Sequence, residues 1–148
     1  EDGASMSEAL SEAIKMRLTE PDPSVDLEGL DSAAKLVILA KTAGLGGVKL
    51  NQVRRAPLTS VSEEDVRGAL RQGRRVRYVA ELSEGSASVG PRQLDGGDFL
   101  ASVRGSYNAV VFKVNGEVVA LSGPGGGVAE AVKSMMADLG ELYGLLRA

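Results

Sequence analysis

Hydrophobic positions change period along this chain, from helical to alternating and back to helical. Residues 7–18 place Leu10, Ile14 and Leu18 on one stripe, which predicts a helix behind a polar lead-in at residues 1–5. Residues 20–24 cannot continue it. Pro21 and Pro23 bracket Asp22, and each proline fixes its own φ and pushes its predecessor out of the α region. The helical period resumes at Asp31, whose side chain suits an N-cap, and stops at Gly44, a good residue just past a helix end. That span gives about 13 residues and roughly 20 Å of helix. Its middle, Leu36-Val37-Ile38-Leu39-Ala40, is apolar nearly all round, which predicts a buried helix. Asp31 and Lys35 stand one turn apart on one face of it. Isolated buried charges are costly, so the acid and the lysine are expected to pair.

Gly44 to Gly47 breaks the chain, and residues 48–53 read as a short strand before a connector at Ala56-Pro57-Leu58. A surface helix opens at Ser62, which can cap it with Asp65 at N3, and runs to about Gln72 before Gly73. From Val76 the period becomes two: Val76, Tyr78, Ala80 and Leu82 alternate with Arg77, Val79 and Glu81, as in a half-exposed strand. Ser83-Glu84-Gly85 turns the chain into residues 87–94 as a second arm, with Gly90-Pro91 irregular. Residues 108–114 are nearly all apolar, predicting a central strand covered on both faces. Asn115-Gly116 is the signature of a type I′ hairpin, returning over residues 117–121. Gly123-Pro124-Gly125-Gly126-Gly127 then leads into a helix from Val128 to at least Leu139, with Val128, Val132, Met135 and Leu139 as its stripe. The fold class is α+β: a mostly antiparallel or mixed sheet with helices on one side and no βαβ units.

Composition narrows the possibilities. A chain of 148 residues, 43% of them hydrophobic, can bury one core, so one domain is expected. The net charge of −3 comes from mixed charges without a basic stripe, so nucleic acid is not an expected partner. No apolar run approaches the ~18 residues of a membrane span, and no secretory leader precedes the first helix. The absence of cysteine excludes disulfides and thiolate metal sites and suits the cytoplasm. Histidine is absent too, so no metal site is expected, and lysine, carboxylates and tyrosine remain for proton chemistry. The first residue is Glu1 rather than Met, as in a fragment or processed chain.

Within residues 20–35, Glu20-Pro21-Asp22-Pro23, Asp26-Leu27, Gly29-Leu30-Asp31 and Ala34-Lys35 follow in an order and spacing that closely resembles the substrate-binding segment of homoserine dehydrogenases. Leu100-Ala101-Ser102-Val103-Arg104-Gly105 and Asn108-Ala109-Val110-Val111-Phe112 are similar to the family's late segment, as is the turn from Gly123 to Gly127. Residues 48–97 match only in their predicted structure. The resemblance implies that residues 1–148 are the substrate-binding, catalytic and dimerisation portion, roughly the C-terminal half, of an NAD(P)-dependent enzyme. That enzyme would interconvert L-homoserine and L-aspartate 4-semialdehyde in threonine and methionine biosynthesis. The dinucleotide-binding half, with its Gly-x-Gly-x-x-Gly turn, would lie upstream.

The family reaction moves a proton to or from an alcohol oxygen while hydride passes to or from a nicotinamide. A lysine held away from water can shuttle such a proton near neutral pH. The resemblance gives this role to Lys35; the plainer reading is a lysine whose stem packs on apolar surface and whose ammonium reaches water. It also implies that Glu20 holds the substrate, with Asp26 and Asp31 completing the polar pocket. Carboxylates recognise an amino acid's ammonium through charge-assisted hydrogen bonds. Asp31 could equally be a cap and Asp26 a turn residue, and Asp31 could cap with one oxygen while pairing Lys35 with the other. Asp22 reads as structural.

Gly123, Gly125 and Gly127 would approach the nicotinamide end of the cofactor, with Gly127 in contact. Taken alone, a strand, a glycine turn and a helix N-terminus make either an anion site or a plain tight turn. No further strand follows to complete a Rossmann unit. The chain departs from the family by carrying Ala131 where a threonine is frequent, which removes a hydroxyl contact, and Gly126 where alanine is commoner. The alternative function is a stand-alone amino-acid-binding or partner domain, or one chain of a split enzyme. The missing phosphate fingerprint favours those alternatives, and the acid–lysine constellation favours the enzyme. A homodimer is expected from the family and from strand edges after Val76 and Asn108 that need covering.

Overall fold

The computed structural model describes residues 3–83 and 85–145. Glu1 and Asp2 of the lead-in and Glu84 of the expected turn lie outside them.

The first helix, α1 (Met6–Lys15), is fixed by Ser5, whose hydroxyl accepts from the Glu8 N–H while the Glu8 carboxylate accepts from the Ser5 N–H. It stops short of Leu18 because Arg17 takes a left-handed φ of +55°. After the two prolines comes a single helical turn, α2 (Ser24–Leu27), so Asp26 lies on a helix rather than in a loop. Asp22 accepts the Ser24 N–H at 3.1 Å, and that bond holds its carboxyl below the usual range. The structural reading of Asp22 stands.

The central helix, α3 (Leu30–Thr42), corrects two expectations. Its N-cap is Gly29, at φ +70° and with no side-chain cap, so Asp31 sits in the first turn and caps nothing. The reason is the tight reversal between α2 and α3, which only a left-handed residue can make. A Cβ at Gly29 would overlap the Tyr78 hydroxyl and lie 3.2 Å from Tyr78 Cζ and 3.3 Å from Val89 Cγ1. Secondly, α3 is buried on one face alone: Ala33, Leu36 and Ala40 are covered, whereas Ile38 is 64% exposed. A single sheet lies beneath it, and among the described residues no second layer lies above. At the other end Gly44 takes φ +73° as expected, and the N–H groups of Gly44 and Leu45 close on Lys41 and Ala40 oxygens at 3.1 and 2.9 Å.

The sheet under α3 is the antiparallel pair β2 (Arg74–Ser83) and β3 (Ser86–Asp95), paired from Arg74–Asp95 to Ser83–Ser86. Residues 48–53 form no strand. Lys49 donates its N–H to the Gln52 side chain at 2.9 Å, a local bond that favours a 3-10 turn over Leu50–Gln52. The strand is the next pair, β1 (Arg54–Arg55), parallel to β3. Gly90-Pro91 is regular strand. Gly90 admits Ala56, whose Cβ would stand 2.9 Å from an added methyl, and Pro91 falls beyond the end of β1. The core joins Ala33 and Leu36 of α3 to Val53, Ala87 and Val89, flanked by Val37, Val48, Tyr78 and Leu82. The helix α4 (Glu63–Arg71) contacts β2 and opens with the Ser62–Asp65 capping box that the sequence predicts.

Residues 108–114 were expected to run as a covered central strand, and they do not. They belong to β4 (Tyr107–Val114), which pairs with β5 (Glu117–Pro124) in a separate two-stranded sheet. Asn115 and Gly116 have φ of +51° and +83°, as a type I′ turn requires. Val114, Val118, Val119 and Leu121 stay exposed, and the last helix, α5 (Val128–Leu145), buries none of its residues, Val132 and Met135 included. An apolar run announces a face to be covered but not the chain that covers it. The α+β class holds, with a mixed sheet, an antiparallel hairpin and helices against the mixed sheet. Among the described residues, no helix is long and apolar enough to cross a membrane.

Candidate active site

The chain from α1 into α2 delivers the acids. Glu20 is exposed just ahead of the proline bracket, and Asp26, exposed on α2, accepts a hydrogen bond from the Thr19 hydroxyl. Thr19 thus fixes the side chain that its neighbour's motif would present, a link that the sequence pattern does not announce. On α3, the Lys35 ammonium and the Asp31 carboxylate meet at 2.6 Å, the one-turn pairing that the spacing predicts. Lys35 is 65% exposed, however, and not held in an enclosed pocket. The outer face of α3 has no cover within these residues.

Two contacts anchor the entry of α3. Tyr78 on β2 fills the space beside Gly29 and donates its hydroxyl to the Ala56 carbonyl at 2.9 Å, and burial pushes its phenol above the ordinary range. Arg55 donates to the Glu28 carbonyl at 3.3 Å. Sequence reasoning assigned Tyr78 only to a strand face. The adjacent glycine was the available clue, since a left-handed glycine in a helix entry often marks close approach.

The glycine turn is fixed by the start of β4. The Gly125 N–H bonds to the Ser106 carbonyl at 2.8 Å, and the Asn108 amide donates to the Gly125 carbonyl at 3.4 Å. Gly127 needs its φ of +108°, whereas Gly123 has an ordinary φ and nothing within 4 Å of an added Cβ. A Cβ on Gly126 would touch Leu18 Cδ2 at 3.7 Å, so the turn lies beside the segment that leads to Glu20. The structure therefore places the turn next to the chain entering the acid-bearing segment, and it pairs Asp31 with Lys35. An open depression of about 280 Å³ at the base of the hairpin, lined by Ser102, Arg104, Tyr107 and Ser122 among others, includes none of the predicted site residues. Among the described residues, no group of three acids, histidines or cysteines could hold a metal ion.

The family model for homoserine dehydrogenase matches residues 1–139. This chain belongs to the homoserine dehydrogenase family. It is 33% identical over 146 residues to the NAD(+)-dependent homoserine dehydrogenase of Pseudomonas canavaninivorans, a match covering 94% of this chain and 41% of that protein. The crystal structure of S. aureus homoserine dehydrogenase at pH 8.5 superposes with a TM-score of 0.84 at 27% identity, covering all of this chain and 38% of that one. A hyperthermophilic archaeal homoserine dehydrogenase in complex with NADPH gives a TM-score of 0.68 at 32% identity over 85% of this chain and 36% of its own. The chain thus spans about two fifths of the length of these relatives. A homoserine dehydrogenase fold that exposes one face of α3, much of one hairpin and nearly all of α5 is consistent with that share.

Proposed function

We propose that residues 1–148 are the substrate-binding, catalytic and dimerisation portion of a homoserine dehydrogenase, interconverting L-homoserine and L-aspartate 4-semialdehyde. The observation that carries this reading is the Asp31–Lys35 pair at 2.6 Å, set on a helix whose entry is locked to the sheet. Glu20 and Asp26 bind the substrate ammonium, with Thr19 holding the Asp26 oxygen in place. Asp31 steers the Lys35 ammonium, and Lys35 takes or returns the proton at the alcohol oxygen. NAD(P), when bound, supplies the hydride acceptor or donor. The chain's part toward it is the turn with Gly123, Gly125 and Gly127, whose open backbone at Gly123 would admit the flat nicotinamide end closely. The missing cofactor-binding half would hold the rest of the dinucleotide and cover Lys35.

We further assign the open edges of the β4–β5 hairpin to a twofold-related second copy, because an exposed apolar hairpin edge requires a partner. A clean monomer by sedimentation of the complete enzyme at tens of micromolar would contradict that assignment. A cysteine-free chain of this kind suits the cytoplasm.

Glu20→Ala in the complete enzyme tests the substrate assignment. The expected result is a raised homoserine KM with little change in kcat, corresponding to roughly 1.5–3 kcal/mol for one charged hydrogen bond. Lost turnover at an unchanged KM would take Glu20 out of substrate binding.

A further inference from the structure

We infer that Asn108 is a positioning residue for the glycine turn and, through that turn, for the cofactor; this rests on the reading above that the turn faces the nicotinamide. Asn108 is the second residue of β4 and pairs with Gly123 of β5. Its side chain leaves the ladder and crosses to the turn. A Cβ on Gly125 would overlap Asn108 Cγ and Nδ2 and stand 2.7 Å from Asn108 Cβ. The carboxamide therefore occupies the space that any side chain at position 125 would need. Gly125 does not take a left-handed φ, so space rather than torsion demands glycine there.

Both backbone groups of Gly125 are then spoken for by the start of β4: its N–H by the Ser106 carbonyl at 2.8 Å, and its carbonyl by the Asn108 amide at 3.4 Å. Two residues later Gly127, at φ +108°, releases the chain into α5, where the Ala131 N–H returns to the Gly127 carbonyl at 3.1 Å. The turn is thus clamped at its middle and free in torsion at its end. The ladder holds Gly123, and the clamp sets where the turn from Gly125 to Gly127 presents its backbone. Asn108 is exposed and the Asn108–Gly123 pairing is made by backbone, so neither the core nor the ladder needs its carboxamide. Aspartate at this position has the same shape but no donor, and it would set a negative oxygen against the Gly125 carbonyl.

The test is steady-state kinetics of the complete enzyme with Asn108→Asp, Asn108→Ala, Gly125→Ala, the Asn108→Ala/Gly125→Ala double variant and Gly127→Ala, each checked for unchanged Tm. Asn108→Asp should raise the cofactor KM on the order of 5- to 10-fold, the scale of one lost hydrogen bond, and leave the homoserine KM within about twofold. Gly125→Ala should raise it further, and less than additively in the Asn108→Ala background, where the overlapping carboxamide is gone and only the Cβ at 2.7 Å remains in the way. Additive effects, or equal rises in both KM values with a lowered Tm, would overturn the inference. So would a raised cofactor KM in Gly127→Ala with none in Asn108→Asp, an outcome that leaves the turn facing the cofactor. If neither variant moves it, the turn does not face the cofactor, and both the reading and the inference fall.

Discussion

Lys35→Ala should lower turnover of the complete enzyme by at least ~100-fold, the usual loss when a general acid or base is removed. The fold should survive the change. Within residues 1–148 Lys35 is 65% exposed and its bond to Asp31 is a surface pair, a class that contributes little to the stability of this portion. Alanine is also the better helix former, so α3 loses nothing in backbone preference. The variant therefore separates chemistry from folding, which few active-site substitutions do. Turnover and Tm measured together check it: an unchanged Tm with collapsed kcat is the expected pair. Near wild-type turnover would remove Lys35 from the mechanism.

These 148 residues alone should not oxidise homoserine, even though they carry the proposed proton-transfer lysine. Hydride transfer needs the nicotinamide carbon about 3–3.5 Å from the substrate carbon, and holding that alignment supplies much of the acceleration. Within this chain the proposed cofactor contact is confined to the turn around Gly123 to Gly127, fastened by Ser106 and Asn108. Too few contacts remain to exceed the cost of association, so binding should be millimolar or weaker. The acid–lysine face meanwhile stands open to water instead of being enclosed. NAD(P)H production by the purified chain, abolished by Lys35→Ala, would sink the idea.

Local chemistry was the legible part of this sequence. The Ser62–Asp65 cap, the Asn115-Gly116 turn and the Asp31–Lys35 pairing follow from short-range rules, and each is found. What misled was burial. Ile38, Val114 of β4, Val118, Val119 and Leu121 of β5, and the apolar stripe of α5 read as covered faces, yet among the described residues they stay exposed. Hydrophobic pattern records the environment of the working molecule, and about three fifths of each matched relative lies outside the stretch that this chain matches. The start of α3 was misjudged for another reason: the aspartate cap rule is strong, but a sharp reversal against Tyr78 leaves room only for Gly29 at that point. Thr19 and Asn108 were missed because their partners, Asp26 and Gly125, are 7 and 17 residues away, beyond the reach of capping and turn rules.

The clasp of Tyr78 against Gly29, with Arg55 holding the Glu28 carbonyl, has a mechanical consequence. It rivets the head of α3 to β1 and β2, so the helix and the mixed sheet can only move as a single rigid plate. A plate of this sort does not flex to meet its ligand. In any closure over a substrate, Asp31 and Lys35 would travel together at fixed spacing, and the bending would fall on the joints that lack such a rivet. One of these is the left-handed Gly127 ahead of α5, where a change of a few tens of degrees in one torsion would swing an 18-residue lever.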